Sequence, residues 1–418
     1  MNNKTRPSPC EVAAAPSIRP LVSRMRQICT LAAAVAISLV VLTPFFLDWS
    51  EPYVIAFIGA ALGFITIAFT IARRPAMQNV CVLLASVSLC LAIGELGAWS
   101  LNASRPQTTN TLEFNYDDPD LGYSPQPSQS AQAREVYRQR VLFDVTYTID
   151  ANGYRVIPTA ARLAQCRVAF FGDSFTFGWG LADTETMPNQ FVAASGGIYR
   201  GYNFAQNGYG AHHMLRLLET GRFDRVVGDG PINLVVYQGI IEHVARVVGA
   251  TTWDPRGPRY VMTTDQGGVA YAGPFHGNAY VALLEWLEKN EMYLYFASRF
   301  FDGRARIEDL PLYVAVLKQA QGEVERRFGA GSFIILIWYD KDILDADPTE
   351  QFKEAGLNVI PIDRVIPDIN ENRTAYVLAD EDWHPNVAAN QRIAGFLAHE
   401  VGPQHCHAQD GIKNAASQ

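Results

Sequence analysis

Two residues that lie far apart in the chain could together carry out nucleophilic chemistry. Ser174 follows the apolar run 168–171 through a Gly-Asp pair, and His384 lies near the C-terminus in the sequence Asp-Trp-His-Pro. A serine hydroxyl is a weak nucleophile at neutral pH and needs an adjacent base to accept its proton. If the fold brings the two side chains together, they predict acyl transfer through a covalent intermediate.

An acid close to His384 would complete this arrangement by holding the imidazole in the correct tautomer. Asp382 is the simplest choice, but Asp380 and Glu381 are rivals because this loop carries three acids in a row. In the alternative interpretation, Asp173 or Ser174 only caps a helix, and the acidic loop is exposed with His384 as a capping residue. The occurrence of the serine and the histidine in one chain favours the catalytic interpretation.

The segments that must position these residues alternate between two kinds. Five short apolar runs follow one another after residue 167: Val168–Phe171, Tyr202–Phe204, Asn233–Tyr237, Phe333–Trp338 and Val359–Ile362. Helix-like stretches lie between them, including Leu310–Phe328 with apolar residues at helical spacing. Such alternation predicts an α/β fold, a three-layer, doubly wound parallel sheet. Ligands of such sheets bind at the carboxyl ends of the strands, which is where Ser174 stands.

These motifs resemble the sequence blocks of the SGNH (GDSL) hydrolases. Gly172–Ser174 is similar to the first block, Asp382 with His384 to the last, and Asn207 with Gly208 to the second. The resemblance extends over about residues 118–401. It implies a flavodoxin-like catalytic domain that works as a serine esterase with a Ser-His-Asp triad, without a cofactor or a metal ion.

The resemblance also implies an oxyanion hole, in which backbone N–H groups of Ser174 and Gly208 stabilise the negative oxygen. The third block departs from the family pattern, because Ile241 stands where the family usually has an asparagine. Gln238 or His243 could supply the missing donor. Without a replacement, the loss would cost about 2.7–4 kcal/mol of transition-state stabilisation.

Several other polar or aromatic side chains near the motifs are candidates for contact with a substrate: Asp173, Trp179, Asn207 and His243. A metal site can be imagined from another group: His212, His213, Glu242 and His243. Triad chemistry needs no metal, and the spacing is not that of a known metal motif, so no metal site is expected.

The sequence predicts five segments: a cytoplasmic tail (1–27), three transmembrane helices (28–100), a linker with an edge hairpin (101–160), the hydrolase domain (161–404, with an insertion at about 246–308) and a flexible tail (405–418). The linker begins with a stretch rich in Pro, Ser, Gln, Asn and Asp, which is typical of irregular structure. Residues 141–149 then alternate between apolar and polar types and precede Asn152-Gly153, which predicts the hairpin strand.

The three predicted spans are apolar runs of about the length that crosses a bilayer: Ile28–Leu47, Tyr53–Ala72 and Val80–Trp99. Arginines precede the first run and follow the second: Arg19, Arg24, Arg26, Arg73 and Arg74. Positive charge favours the cytoplasmic side, so the region after Leu101 is predicted to lie outside. We therefore expect a multi-pass protein of the bacterial inner membrane with a periplasmic catalytic domain.

Net charge and cysteine content limit the expected partners and the expected redox compartment. The net charge of -8 gives no reason to expect a nucleic-acid partner. Cys166 and Cys406 are the two cysteines of the predicted soluble part, and an oxidising compartment would allow them to pair. The alternative is two thiols that never meet, because sequence spacing does not determine the geometry of a disulfide.

Taken with the predicted outward location, these features indicate a serine esterase that acts on O-acyl esters, O-acetyl esters first, of carbohydrates or envelope polymers. The expected partners are an acylated glycan or a small ester. Two alternatives stay open. The chain could be a catalytically weak protein for envelope binding or assembly, which the missing asparagine favours, or an O-acyltransferase.

Overall fold

A computed structural model describes most of the chain: residues 52–70, 74–104, 107–110, 114–161, 164–251, 254–263, 267–277, 279, 283, 287, 289–297, 305–339 and 348–406. The chain divides into two compact units. One contains residues up to Ser100 together with Lys289–Met292, and the other contains Leu101–Glu288 with Tyr293–Gln418. The first predicted span, Ile28–Leu47, lies outside the described residues.

The described strands are β1 Gln107–Asn110, β2 Asn115–Asp118, β3 Gly122–Pro125, β4 Ser130–Tyr137, β5 Arg140–Thr148, β6 Cys166–Gly172, β7 Tyr199–Asn203, β8 Leu234–Ile240, β9 Pro258–Met262, β10 Val269–Pro274, β11 Phe333–Trp338, β12 Val359–Pro361, β13 Val377–Ala379 and β14 Asp382–Pro385. The described α-helices are α1 Pro52–Thr70, α2 Pro75–Asn102, α3 Ser174–Phe177, α4 Met187–Ala194, α5 Ala211–Glu219, α6 Arg222–Val227, α7 His243–Val247, α8 Leu310–Phe328, α9 Thr349–Glu354, α10 Ile362–Val365 and α11 Val387–Phe396.

A parallel sheet of five strands, counted over the described residues, forms the centre of the larger unit. Its order is β7-β6-β8-β11-β12, and every neighbouring pair is parallel. The chain leaves β6 for β7 on one side and returns to β8 on the other side. The strand order therefore reverses next to β6, and in open α/β sheets the crevice at such a switch point is where ligands bind.

Helices cover both faces of this sheet, which gives the predicted α/β architecture. Along β6, Ala169 and Phe171 belong to a core cluster that includes residues of α5 and α8. Val168 and Phe170 point to the opposite face, where they join a cluster that includes residues of α4 and α11. Strands buried on both faces read as continuous apolar runs rather than alternating ones, as these do.

The segment before the sheet forms small antiparallel elements. Strands β1, β4 and β5 make a three-stranded sheet, as the alternation in residues 141–149 predicts for β5, and β2 pairs with β3. Arg155 follows these strands and is buried. Its guanidinium donates to the carbonyl oxygens of Phe177 at 2.8 Å, Gly178 at 2.6 Å and Leu181 at 2.6 Å. The lead-in segment thereby holds the loop that follows α3.

The smaller unit contains two apolar helices. Among the described residues, α2 is the one helix that is long and apolar enough to cross a membrane, and the apolar part of α1, Tyr53–Phe69, is shorter. Within α2, the buried carboxylate of Glu95 accepts hydrogen bonds from the backbone N–H of Glu291 at 2.7 Å and of Met292 at 3.1 Å. Within the described residues, the structure supports one full-length span, whereas the sequence predicts three spans, the first of which lies outside those residues.

A disulfide joins Cys166, the first residue of β6, to Cys406 near the end of the described chain. Their Cα atoms lie 5.7 Å apart, within the usual range for a disulfide. The bond connects the strand that leads to Ser174 with the segment that follows α11. It lies at the amino end of β6, the end opposite to Ser174.

Candidate active site

Ser174 lies at a sharp turn between β6 and the one-turn helix α3. Asp173 caps this helix, since its side chain accepts a hydrogen bond from the backbone N–H of Phe175 at 3.0 Å. Gly172 has a φ of 153°, and a Cβ atom there would approach Thr176 Oγ1 to 2.4 Å. Only a residue without a side chain fits this turn.

His384 reaches the same edge of the sheet from the β13–β14 hairpin. It is the third residue of β14, and Asn386 then caps α11 by accepting from the backbone N–H of Ala389 at 3.1 Å. The cap explains why the hairpin gives way to a helix directly after the histidine.

The structure brings Ser174, His384 and Asp382 into one hydrogen-bonded chain. Ser174 Oγ lies 2.8 Å from His384 Nε2, and His384 Nδ1 lies 2.5 Å from Asp382 Oδ1. The backbone N–H of His384 also donates to Asp382 Oδ1, at 3.1 Å. With its Nδ1 proton donated to the carboxylate, the imidazole presents an unprotonated Nε2 to the serine hydroxyl.

Asp382, rather than its two neighbours, is the acid that faces the imidazole. Glu381 pairs with Arg140 at 2.7 Å, and Asp380 accepts a hydrogen bond from Trp383 Nε1 through its backbone oxygen. Burial alone would raise the pKa of the Asp382 carboxyl, but the hydrogen bond and charge of His384 outweigh this and lower that pKa. The carboxylate is therefore ionised at neutral pH.

Two lobes of one groove open on either side of the serine and histidine. The first, of about 520 Å³, is mostly acidic and aromatic, and is lined by Glu135, Ser174, Phe175, Trp179, Ile240, Glu242, Arg246, Arg373, Glu381, Asp382, Trp383 and His384. We call it the acidic lobe. The second, of about 430 Å³, is lined by Asn115, Tyr123, Ser174, Trp179, Asn207, Gly208, Arg246 and His384. We call it the amide lobe.

The amide lobe contains the predicted second block. Gly208 has a φ of 80°, a conformation that favours glycine. The loop is held from the lead-in segment, because Tyr123 Oη donates to the carbonyl oxygen of Asn207 at 2.6 Å, and Gln206 Nε2 donates to Asn115 Oδ1 at 2.9 Å. The chain ahead of the sheet thus positions the loop and also lines the lobe.

The candidates for the third oxyanion donor do not line either lobe. Gln238 is buried, and its Oε1 accepts from Thr176 Oγ1 at 3.0 Å. Ile241 is buried in the core, and His243 is buried with its Nδ1 hydrogen-bonded to Tyr237 Oη. Both side chains are buried and line neither lobe, although Gln238 Nε2, the possible donor, makes no hydrogen bond among the described residues. A third donor from Gln238 or His243 stays a prediction.

Asp173 and His243, two of the candidate substrate contacts, belong instead to a buried network beneath Ser174. Asp173 Oδ2 lies 3.2 Å from His243 Nε2 and accepts from Arg246 Nη1 at 2.9 Å. Burial alone would raise the pKa of Asp173, but the charges of Arg246 and His243 lower it well below its ordinary value. Neither side chain lines the groove. The other two candidates, Trp179 and Asn207, do line the groove.

A second buried cluster contains His213, which is on α5, and Asp254. His213 Nε2 is 3.1 Å from Asp254 Oδ2, and the backbone N–H of Gly210 donates to His213 Nδ1 at 3.1 Å. A nitrogen that accepts an N–H carries no proton, so the proton of the neutral ring is on Nε2, which lies near the carboxylate without making a hydrogen bond to it. Metal-bound histidines have the reverse arrangement, with the non-ligating nitrogen donating its proton.

The residues considered as a possible metal site in the sequence also lie in three separate places. His212 lies beside Asp254, with Nε2 3.6 Å from Oδ2, while His243 is in the network with Asp173 and Glu242 lines the acidic lobe. The grouping that does occur, His212 with His213 and Asp254, has three possible ligand atoms within 4.8 Å of one another. Both ring nitrogens of His212, and Nε2 of His213, make no hydrogen bond among the described residues.

Sequence reasoning missed several residues that line the groove, namely Asn115, Tyr123, Glu242, Arg246, Arg373 and Trp383. Tyr123 belongs to a segment that resembles part of the family pattern, so a signal existed for it. No sequence signal pointed to Arg246, because this residue was interpreted as the start of an insertion. Its contacts with Asp173 and Tyr209 span long sequence separations.

Comparisons with known proteins add little to this geometry. No family model matches the chain, and no curated protein matches it. Among solved structures, the chain is similar to a protein from Agrobacterium tumefaciens str. C58 described as a "putative arylesterase". The two are 14% identical with a TM-score of 0.31, and the match covers 57% of this chain and 99% of the other. A similarity at this level does not support a functional assignment, so the interpretation depends on the site itself.

Proposed function

We propose that this chain is an SGNH-type serine esterase in which Ser174 is the nucleophile, His384 the general base and Asp382 the residue that orients it. The observation that carries the proposal is the chain of hydrogen bonds from Ser174 Oγ through the imidazole to the carboxylate, with lengths of 2.8 and 2.5 Å. The groove opens at the reacting end of that chain, so an ester could reach the hydroxyl.

The reaction follows from these positions. His384 Nε2 takes the hydroxyl proton while Ser174 Oγ forms a bond to the ester carbonyl carbon, and the carbonyl oxygen becomes negative. When the tetrahedral intermediate collapses, the ester C–O bond breaks and the imidazolium gives its proton to the leaving alcohol. Water then attacks the acyl-enzyme by the same route in reverse, which releases the acid and restores the serine.

The negative oxygen requires donors, and the turn and the loop offer two of them. We assign this role to the backbone N–H groups of Ser174 and Gly208, which line the same lobe. Donors fixed before the reaction stabilise the developing charge without having to reorganise, which is the largest single term in many enzymes.

The lining of the groove favours an ester of a carbohydrate, with O-acetyl esters first. Amide and aromatic side chains of the amide lobe, Asn115, Tyr123, Asn207 and Trp179, can bond hydroxyls and pack against sugar rings. The acidic lobe continues into a third cavity of about 690 Å³ that shares Phe175, Ile240, Glu242, Arg373 and Trp383 with it. A groove of this length fits a saccharide of several units better than a small ester.

The proposed location is the outer face of the bacterial inner membrane, with a multi-pass anchor. Two observations support it. Helix α2 has the length and composition of a membrane span. The Cys166–Cys406 disulfide is typical of an oxidising compartment, since cytosolic thiols are kept reduced. Positive charges around the apolar runs give the direction.

A membrane-impermeant fluorophosphonate probe tests reactivity and location together. Spheroplasts that express the chain should be labelled at Ser174, and Ser174→Ala should abolish labelling at equal expression. Labelling that appears only after lysis would contradict the outward location and leave the chemistry intact. A wild-type chain that stays unlabelled in both preparations would overturn the esterase and favour the binding or assembly role.

Product analysis separates hydrolysis from transfer. Purified protein in detergent should release acetate from p-nitrophenyl acetate and from an O-acetylated glycan, with Ser174→Ala as the inactive control. Acetyl groups that move onto an unacetylated glycan, in place of free acetate, would identify an O-acyltransferase that uses the same acyl-enzyme.

A further inference from the structure

Arg246 lies where the two lobes of the groove meet. Four residues line both lobes, namely Ser174, Trp179, Arg246 and His384. Two of them are the proposed nucleophile and base, and Trp179 directs its indole Nε1 to Glu135 at 3.3 Å. Arg246 is thus the one permanent cation, among the described residues, that lines the groove on both sides of the reacting groups.

Two hydrogen bonds fix the position of this guanidinium. Arg246 Nη1 donates to Asp173 Oδ2 at 2.9 Å and to the carbonyl oxygen of Tyr209 at 2.6 Å. Asp173 directly precedes Ser174, and Tyr209 directly follows Gly208. The arginine therefore bridges the two segments whose N–H groups are assigned to the oxyanion in the proposed function, and its side chain is only 10% exposed.

Arg246 also follows the strand that normally supplies the third donor. It is on α7, directly after β8, the strand whose end carries Ile241 in place of the usual asparagine. Gln238 and His243, the other candidates from this strand and helix, are buried and line neither lobe. No other polar side chain of residues 238–247 lines the amide lobe.

We propose that Arg246 stabilises the oxyanion by its charge and takes over the role of the absent asparagine amide. This inference rests on the proposed esterase function. An arginine keeps its proton at all relevant pH values, so it stabilises the negative oxygen without transferring a proton. A charged donor makes hydrogen bonds about twice as strong as a neutral one, which compensates for the lost amide.

Substitutions that separate charge from shape test the role. Arg246→Met removes the charge and keeps most of the length, and Arg246→Lys keeps the charge. With p-nitrophenyl acetate, Arg246→Met should lower kcat about 10²–10³-fold and change KM little, the loss expected for one oxyanion donor. Arg246→Lys should recover at least about tenfold of that loss, because the charge returns.

Arg216 offers a matched control. It too is a part-buried arginine paired with an aspartate, Asp120 at 2.8 Å, but it lines neither lobe. Arg216→Met should leave kcat within about twofold of wild type, as expected for a site outside the reaction. Thermal unfolding of all variants identifies any that fail to fold.

Chemical rescue distinguishes charge stabilisation from a purely structural bridge. Guanidinium ions at millimolar concentration should restore part of kcat to Arg246→Ala and none to Ser174→Ala. The proposal is overturned if Arg246→Met retains wild-type kcat, or if the lysine variant and guanidinium both fail to restore a lost kcat. A wild-type protein without esterase activity or labelling at Ser174 would overturn the proposed function itself, an outcome distinct from these.

Discussion

Histidine–aspartate pairs occur in three places among the described residues of the larger unit, and these pairs differ mainly in burial. The described residues contain these His–Asp pairs within 3.2 Å: His384–Asp382 at 2.5 Å, His213–Asp254 at 3.1 Å and His243–Asp173 at 3.2 Å. The side chain of His384 is 27% exposed and lines the groove, whereas those of His213 and His243 are fully buried.

Burial gives these pairs different chemistry. Burial lowers the pKa of His243 to about 4 and that of His213 well below its ordinary value, so both stay neutral near pH 7. A neutral imidazole sealed in the core can donate and accept fixed hydrogen bonds but cannot exchange a proton with a substrate. His384 has the same kind of partner and, in addition, a serine hydroxyl and open space. The comparison indicates that access, rather than the presence of a carboxylate, distinguishes a base from a structural histidine.

Alanine substitutions at an exposed and a buried histidine should separate these roles most strongly. His384→Ala should lower kcat for p-nitrophenyl acetate by about 10⁶-fold, because the nucleophile and its base act as a unit. His213→Ala should lower the free energy of unfolding by about 2–3 kcal/mol, since it leaves the buried Gly210 N–H without its acceptor and removes a buried ring.

Urea unfolding and steady-state kinetics on both variants check this prediction. His384→Ala should unfold at nearly the same urea concentration as wild type. A reversal, with kcat lost in the buried variant and kept in the exposed one, would contradict the assignment of the base.

Asp382→Asn should have the next largest effect. An amide in place of the carboxylate favours the wrong tautomer of His384, and in a comparable triad this change lowers kcat by about 10⁴-fold. Asp380→Asn is the matched control, because Asp380 accepts from Trp383 Nε1 through its backbone oxygen, which the substitution leaves in place. Equal losses of kcat in the two variants would show that the acidic loop acts through its total charge and that no single carboxylate orients the histidine.

The sequence predicted the frame of the larger unit well. The expected helix at Leu310–Phe328 and the expected strand at Phe333–Trp338 have the same bounds in the structure. Strands buried on both faces form continuous apolar runs, and a long amphipathic helix repeats every 3.6 residues, so both patterns are visible locally. Ser174 could be found for the same reason, because it comes just after the apolar strand β6. His384 could be found because it lies just ahead of helix α11.

Contacts between distant segments were harder to predict. Arg246 contacts Asp173, a residue 73 positions earlier, and nothing in the spacing of either indicates the pair. An arginine on a short helix usually reads as a solvated residue. Likewise, the burial of His243 depends on Tyr237 and Asp173, so it was taken for a substrate contact. Side chains placed by tertiary contacts leave no periodic signal in the sequence.

The smallest predicted effect is a difference in acid sensitivity that arises from the buried pairs. Because the pKa of His243 is lowered to about 4 in the folded protein, the unfolded chain binds more protons than the folded one between about pH 6.5 and pH 4. The free energy of unfolding should therefore fall as the pH is lowered through this window. His212, whose pKa burial lowers to about 3, adds to the fall.

His243→Gln tests this directly, because glutamine fits a buried polar site and does not titrate. The variant should be less stable than wild type at pH 7, since its hydrogen bonds to Tyr237 and Asp173 are impaired. Its stability should nevertheless decline less between pH 6.5 and pH 4, by on the order of 3 kcal/mol, the free energy that corresponds to the lowered pKa. Parallel stability curves for the two proteins, measured by urea unfolding at each pH, would mean that His243 titrates normally and is reached by solvent. The contrast between a sealed and an open histidine would then have to be explained by something other than burial.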